Sequence, residues 1–326
     1  MFKKTLMTLA VIAGGTLSMM AQADSRLVLY TSQPNADAQA TVDAFTQAHP
    51  DIEVEWVRDG TTKLMTRLRA ELQSGSSRAD LLLIADSVNM ESLKEGGHLQ
   101  PYLSPERKHF DSALYQPQGY YYGTKLITTG IVRHTRASES PASWADLAHE
   151  RCKGQVAMPS PLYSGAALIH LATLTSNPDL GWDYYRSLAD NKTQAQGGNG
   201  GVLKAVASGN KPYGVIVDFL AIREARKGSP IEFVFPEEGG SMVTEPVAIM
   251  QGAENVDAAR TFVDFVLSAK GQELVREQGY LPASNQVAVP EGFPARDKIK
   301  LMPFDAADAL RNADANKARF NDVFGG

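Results

Sequence analysis

The chain is poor in cysteine: Cys152 is the only one in 326 residues, so no intramolecular disulfide can staple the fold. The bland reading of such a residue is a small buried side chain. Positive charge is not in excess either. Lys and Arg number 32 against 37 Asp and Glu, a formal net charge of −5, which gives a large nucleic-acid surface no electrostatic support. No His/Cys cluster stands at zinc spacing, and no long low-complexity segment or solenoid-type repeat is present. There is no GxSxG elbow. The glycine-rich stretch Gln196 to Gly201 is followed by no Lys-Ser/Thr and lacks the strand-linked GxGxxG spacing, so it reads as a close-approach turn rather than a nucleotide loop. The apolar run from Leu6 to about Met20 is too short and too interrupted by Gly and Thr for a membrane span.

That run has another explanation. Lys3 and Lys4 precede it, and Ala21-Gln22-Ala23 follows with the small-x-small pattern of a cleavage site. Residues 1–23 are therefore expected to be a signal peptide, with the mature chain starting near Asp24 in an exported compartment. No Cys sits near the cleavage site, so a lipid-anchored form is not expected. What remains is long enough for two domains.

From Arg26 the pattern alternates. Leu27 to Tyr30 reads as a buried strand, Ser32 to Asn35 as a turn, and Ala36 to about Ala48 as a helix with Ala40, Ala44 and Phe45 on one face. Ile52 to Val57 is the next strand. Asp59 to Thr62 turns into a helix carrying Leu64, Leu68 and Leu72. Leu81 to Ile84 is a continuous apolar run ending in Ala85-Asp86, as strands covered on both faces are. Alternation of this kind predicts a βαβ sheet, whose ligands lie beyond the carboxyl ends of the strands. Ser32, Thr61, Thr62 and Asp86 should then share one rim.

A second unit of the same kind follows. Gln155 to Met158 is a strand, Pro159 to Gly165 a loop, and Ala166 to about Thr175 a helix. The glycine turn precedes a helix at Val202 to Ala207. Tyr213 to Val217 is a strand ending at Asp218, before a helix at Phe219 to Arg226. Late in the chain, Val247 to Met250 forms a strand, and one long amphipathic helix is expected from about Val256 to Glu277. The charged segment after Pro290 is expected to form a helical cap on the second lobe. The six histidines mostly fall on predicted helix ends or polar surface.

Several stretches, in order, are similar to the type II periplasmic binding proteins of ABC importers: Leu29 to Ser32, Ala79 to Leu82 with Ala85-Asp86, Pro141 to Leu147, Pro159 to Ala166, Gln251 to Asn255, Phe262 to Ser268, and Gly279 to Pro282. The chain most resembles the branch holding ferric-ion, hexose-phosphate and 2-aminoethylphosphonate binders. This resemblance implies an α/β fold of two lobes, each a mainly parallel sheet flanked by helices, hinged by two crossovers near Tyr120 to Leu126 and Phe235 to Val247. Residues 24–120 with 240–285 would form the first lobe, and 121–239 with 286–326 the second. It also implies a monomer in the periplasm that delivers a small ligand to an inner-membrane permease, with no cofactor and no nucleic-acid partner.

The ferric binders of that branch carry a tandem Tyr pair. Here the matching segment is Val217-Asp218-Phe219-Leu220, and Ser32 to Asn35 stands where their early His would be. Hard Fe³⁺ prefers anionic oxygen donors, so iron is the weaker alternative. Tyr120 to Tyr122 reads as hinge packing and Tyr184-Tyr185 as core. An oxyanion fits better. Ser32, Thr61, Thr62, Ser164, Gly165 and Ala166 each stand where a helix begins, and helix starts offer free N–H groups and partial positive charge. Asp86 and Asp218 at strand ends, with Glu245 beside the second crossover, would meet an ammonium tail or sugar hydroxyls. The expected ligand is 2-aminoethylphosphonate or a related organophosphonate or phosphate ester. Competing readings are a ferric-iron binder, a sensory partner of a membrane receptor, and an enzyme, the last opposed by the missing motifs.

Overall fold

The computed structural model describes residues 25–75 and 77–325. The expected signal peptide lies outside the described residues.

The first half builds a sheet from strands whose side chains alternate between two helical layers. Its elements are β1 (Ser25–Thr31), α1 (Asn35–Ala48), β2 (Ile52–Arg58), α2 (Thr61–Gln73), β3 (Leu81–Leu83), α3 (Ser87–Glu95), β4 (Leu99–Gln100) and β5 (Tyr122–Gly123). Leu81 and Leu83 face one layer, where Val42 and Phe45 of α1 pack; Leu82 and Ile84 face the other, with Leu64 and Leu68 of α2 and Leu93 of α3. Burial on both faces is why this run is continuously apolar.

The second sheet is built from β6 (Lys125–His134), α4 (Trp144–Leu147), β7 (Val156–Met158), α5 (Gly165–Thr175), α6 (Gly181–Asp190), β8 (Gln194–Ala195), α7 (Asn199–Ala207), β9 (Tyr213–Val217), α8 (Asp218–Arg226), β10 (Ile231–Val234) and β11 (Ser241–Val243). Ile131, Val156 and Val215 pack with α5 and α6 on one face; Val132, Ala157 and Ile216 pack with α7 and α8 on the other. The chain then returns through β12 (Pro246–Met250), α9 (Val256–Leu267), α10 (Ala269–Glu277), β13 (Leu281–Pro282) and α11 (Ala306–Phe324).

The strand orders are β2-β1-β3-β12-β4, with β5 beside β12, and β10-β6-β9-β7-β8, with β11 and β13 beside β6. In each sheet all the described strands but one run the same way: β12 is antiparallel to β3, β4 and β5, and β6 is antiparallel to β9, β10, β11 and β13, while β1, β2 and β3 and β7, β8 and β9 pair in parallel. Only Thr124 separates β5 in the first sheet from β6 in the second. Only Thr244 and Glu245 separate β11 from β12. The two crossings lie side by side: Thr124 N–H donates to the Thr244 carbonyl at 3.0 Å, and Thr124 Oγ1 donates to the Glu245 carbonyl at 2.8 Å. Glu245 holds a φ of +39°, a left-handed conformation unfavourable for a residue with a Cβ.

Three expectations shift. The switches fall at 124 and 244–245, inside both expected crossovers but a few residues past the expected lobe bounds at 120 and 240, so Tyr122–Gly123 belong to the first sheet and Ser241–Val243 to the second. The helix expected over 256–277 is two helices. Ser268 is extended at φ −63°, ψ 164°, and its Oγ accepts from Gly271 N–H as the cap of α10. The C-terminal helix α11 caps the second lobe through α5 and α6 but also packs on α3 of the first.

Candidate functional site

A cavity of about 400 Å³ lies between the lobes. The first lobe lines it with Ser32, Pro34, Arg58, Gly60, Thr61 and Ala85. The second contributes Tyr163, Ser164, Gly165, Ala166 and the whole run Gly197 to Gly201, with Ile127, Val217, Phe219 and Leu220 as its apolar wall. Glu245, from the crossover itself, completes it.

Helices α2, α5 and α7 are among those that begin at this cavity. Gly60 caps α2 and Gly198 caps α7, and neither supplies a side-chain acceptor to the first amides of its helix. Ser164 caps α5 by accepting from Ala167 N–H at 3.3 Å, which leaves the Gly165 and Ala166 amides without that partner. Unsatisfied N–H groups and the positive ends of three helix dipoles therefore meet in one place, an arrangement suited to an anion. The hydroxyls reinforce it. Ser32 Oγ accepts from Ala85 N–H at 2.9 Å, and Ser164 Oγ accepts from Asn199 Nδ2 at 3.4 Å. Each oxygen being engaged as an acceptor, its own proton is left to donate. Asn199 is fixed in turn, its Oδ1 accepting from Val217 N–H at 3.1 Å.

Arg58 was not anticipated from the sequence. Its Nε donates to the Gln33 carbonyl at 2.8 Å, which anchors the stem and leaves the rest of the guanidinium fork at the cavity. Arg58 is the last residue of β2, so the strand-end rule that selected Ser32 could have found it. Asn199 and Tyr163 were also missed. The polar residue inside the glycine run and the aromatic residue just before α5 were the available signals.

Of the nine residues expected at the site, Ser32, Thr61, Ser164, Gly165, Ala166 and Glu245 line the cavity, whereas Thr62, Asp86 and Asp218 do not. Thr62 is one residue further along α2 and half-buried. Asp86 caps α3: its Oδ1 accepts from Asn89 N–H at 3.0 Å and its Oδ2 from the Asn89 side chain. Asp218 turns into the protein, where Oδ2 accepts from Thr128 N–H at 2.8 Å and Thr128 Oγ1 at 2.7 Å. Both carboxyls are pushed up by burial, Asp218 to about 6. A buried acid needs donors, and here the helix starts and β6 supply them before any ligand does.

Glu245 is the one acid that lines the cavity among the described residues. Its Oε2 pairs with Lys125 Nζ at 2.6 Å and accepts from Gln33 Nε2 at 3.3 Å. Burial raises its carboxyl, and the lysine opposes that rise. Lys125 Nζ also sits 4.1 Å from the centre of the Tyr280 ring.

The other candidate donors lie elsewhere. Tyr121 donates to Glu91 in the first lobe, and Tyr184 and Tyr185 are buried in the core of the second. Cys152 is buried, which pushes its thiol up. Contrary to the expected polar placement, His134 and His170 are buried too. Among the described residues, no group of three or more His, Cys, Asp or Glu is placed to hold a metal ion.

Comparison with known proteins agrees with this architecture. An uncharacterised protein of Haemophilus influenzae is 28% identical over 319 residues, covering 91% of this chain and 90% of that one. The periplasmic binding protein AfuA from Actinobacillus pleuropneumoniae, solved with fructose-6-phosphate bound, superposes with a TM-score of 0.84 at 23% identity, covering 92% of this chain and 99% of AfuA. Iron-bound HitA from Pseudomonas aeruginosa gives 0.81 at 20% identity, with the same coverage. These two structures share the two-lobe fold. Residues 76–310 match the family described as bacterial extracellular solute-binding protein, and it is to that family that the chain belongs.

Proposed function

We propose that this protein captures a small organic phosphate or phosphonate in the periplasm, after export by its N-terminal signal, and delivers it to the permease of an ABC importer. The observation that carries the reading is the meeting of the α2, α5 and α7 N-termini with Arg58 on one cavity. A volume of about 400 Å³ falls within the range of small-molecule pockets. It leaves room for an organic part beside the phosphorus group, against Ile127, Phe219 and Leu220.

The organic part meets Glu245. With Asp86 and Asp218 turned away, this carboxylate is the acid left to receive an ammonium or a hydroxyl. 2-Aminoethylphosphonate fits through its amine and a sugar phosphate through its hydroxyls, and AfuA was solved holding such an ester. A ferric site fits less well. The side-chain oxygens a ferric ion would look to at the cavity are the Glu245 carboxylate, already paired with Lys125, and the phenol of Tyr163. An enzyme would need a base beside Ser32 or Ser164, whereas the buried His170 faces Ser241 outside the cavity.

Calorimetry on the mature protein with 2-aminoethylphosphonate, fructose 6-phosphate, inorganic phosphate and ferric citrate tests the proposal. The expected result is a saturable heat with one of the two organic compounds. Coloured binding of iron, with no response to any phosphorus compound, defeats it.

A further inference from the structure

Tyr163 is 38% exposed, yet it lines the cavity, so it stands between the cavity and solvent. Its ring lies against two glycines from opposite lobes. A Cβ on Gly60, in the first lobe, would sit 3.2 Å from Tyr163 Cζ; one on Gly198, in the second, would sit 2.9 Å from Cε1. Neither glycine is needed for its backbone. Gly60 has φ −61° and ψ 146°, and Gly198 has φ −118° and ψ −177°, conformations open to any residue. Both are also helix N-caps, where Ser, Thr, Asp or Asn ordinarily serve best. A side chain is forgone twice, and at both positions the neighbour that a Cβ would crowd is Tyr163.

The lobes are equally close beside it. A Cβ on Gly165 would fall 2.5 Å from the Ala85 carbonyl oxygen and 3.1 Å from Thr61 Cγ2. Tyr163 immediately precedes the Ser164 cap of α5, so its backbone is carried with that helix start. Were the lobes to separate, Gly60 would leave the ring while Gly198, carried by the same lobe as the ring, would stay against it.

We propose that Tyr163 is the gate of the solute cavity. Carried by the second lobe, its ring seats on Gly60 when the lobes close, covers the mouth, and slows escape of the solute. The ring does this, not the hydroxyl. The proposal rests on the cavity being the solute site.

Stopped-flow release of 2-aminoethylphosphonate or fructose 6-phosphate, whichever binds the wild type, is the first arm. Tyr163→Ala is expected to speed release on the order of tenfold with a nearly unchanged association rate, and Tyr163→Phe to restore slow release. Gly60→Ala should speed release as well, and adding it to Tyr163→Ala should bring no further change, because both act on one contact. The second arm needs no ligand. Spin labels at Lys63→Cys and Lys204→Cys report the distance between lobes, Cys152 being buried. The ligand-free protein is expected to show a short-distance population that Gly60→Ala removes and Gly60→Ala/Tyr163→Ala restores. Release unaltered in Tyr163→Ala, or distances unaltered in Gly60→Ala, overturns the gate. A wild type that binds neither compound speaks against the phosphorus reading, and the distance arm still decides the gate.

Discussion

Asp37 at the start of α1 grips Arg223 on α8 across the seam between the lobes, with Arg223 Nη1 3.2 Å from Oδ1 and Nη2 3.0 Å from Oδ2. The Tyr280 hydroxyl donates to the same carboxylate, and the guanidinium lies 4.5 Å from the Tyr280 ring centre and 4.7 Å from that of Phe219. A forked pair of this kind demands fixed geometry, which the lobes as placed here supply.

Asp37→Asn should therefore weaken solute binding by about tenfold, or about 1.4 kcal/mol, through a less populated closed state. Titration calorimetry on the variant checks it. Undiminished affinity would show that the pair braces the seam without favouring closure.

Lys125 and Glu245 are both buried, with side chains 1% and 3% exposed. Removing one charge leaves the other without a partner in a dry setting, so Glu245→Gln should cost about 3 kcal/mol in urea denaturation. Lys125→Met combined with Glu245→Gln should recover most of that loss. A double variant no better than the single would place the cost in the crossover backbone instead.

His170 is pushed down to about 3 by burial; its Nδ1 meets Ser241 Oγ at 3.1 Å and its ring centre lies 4.7 Å from that of Trp144. The folded state thus binds this proton less readily than the unfolded chain does. Its contribution is complete above about pH 6.5 and declines as pH falls toward 3. Between pH 7 and pH 5 the wild type should lose roughly 2 kcal/mol more than His170→Gln, at about 1.4 kcal/mol for each pH unit below 6.5. Parallel pH profiles for the two proteins would contradict this.

Arg58→Ala should weaken a doubly charged phosphate ester by on the order of tenfold or more, and a neutral sugar not at all, since a charge-assisted hydrogen bond disappears. Arg58→Lys should restore only part of the loss, because a single ammonium replaces a planar fork. Competition against a fluorescent phosphate ester reads both. Equal losses for charged and neutral compounds would assign Arg58 to closure rather than to the anion.

How far the sequence carried these conclusions differs from residue to residue. The apolar run at Leu81 to Ile84 and the alternation around it were sufficient to place β1, β2 and β3 in one sheet, because burial on both faces leaves a continuous signature. The strand-end rule selected Ser32 and Thr61, which line the cavity, and Thr62, which does not; Ser164 came from the helix starts. The strand-end rule failed for Asp86 and Asp218 because it places a Cα, not the direction of a side chain; local amides and Thr128 captured both carboxylates. Ser268 was hidden inside an amphipathic pattern that continues through the break. The pairing of Lys125 with Glu245 joins two crossovers far apart in the chain, and no local periodicity encodes it.

In space β12 lies between β3 and β4, but it is synthesised after β6 to β11 of the other sheet. Leu83 and Val247 are register partners, so the N-terminal sheet waits for nearly the whole of its neighbour to leave the ribosome. Until then β3 exposes an edge without its partner strand, and closing so long a loop slows assembly. The first lobe is thus unable to complete its sheet from its own leading segment and stays unfinished until late in its synthesis.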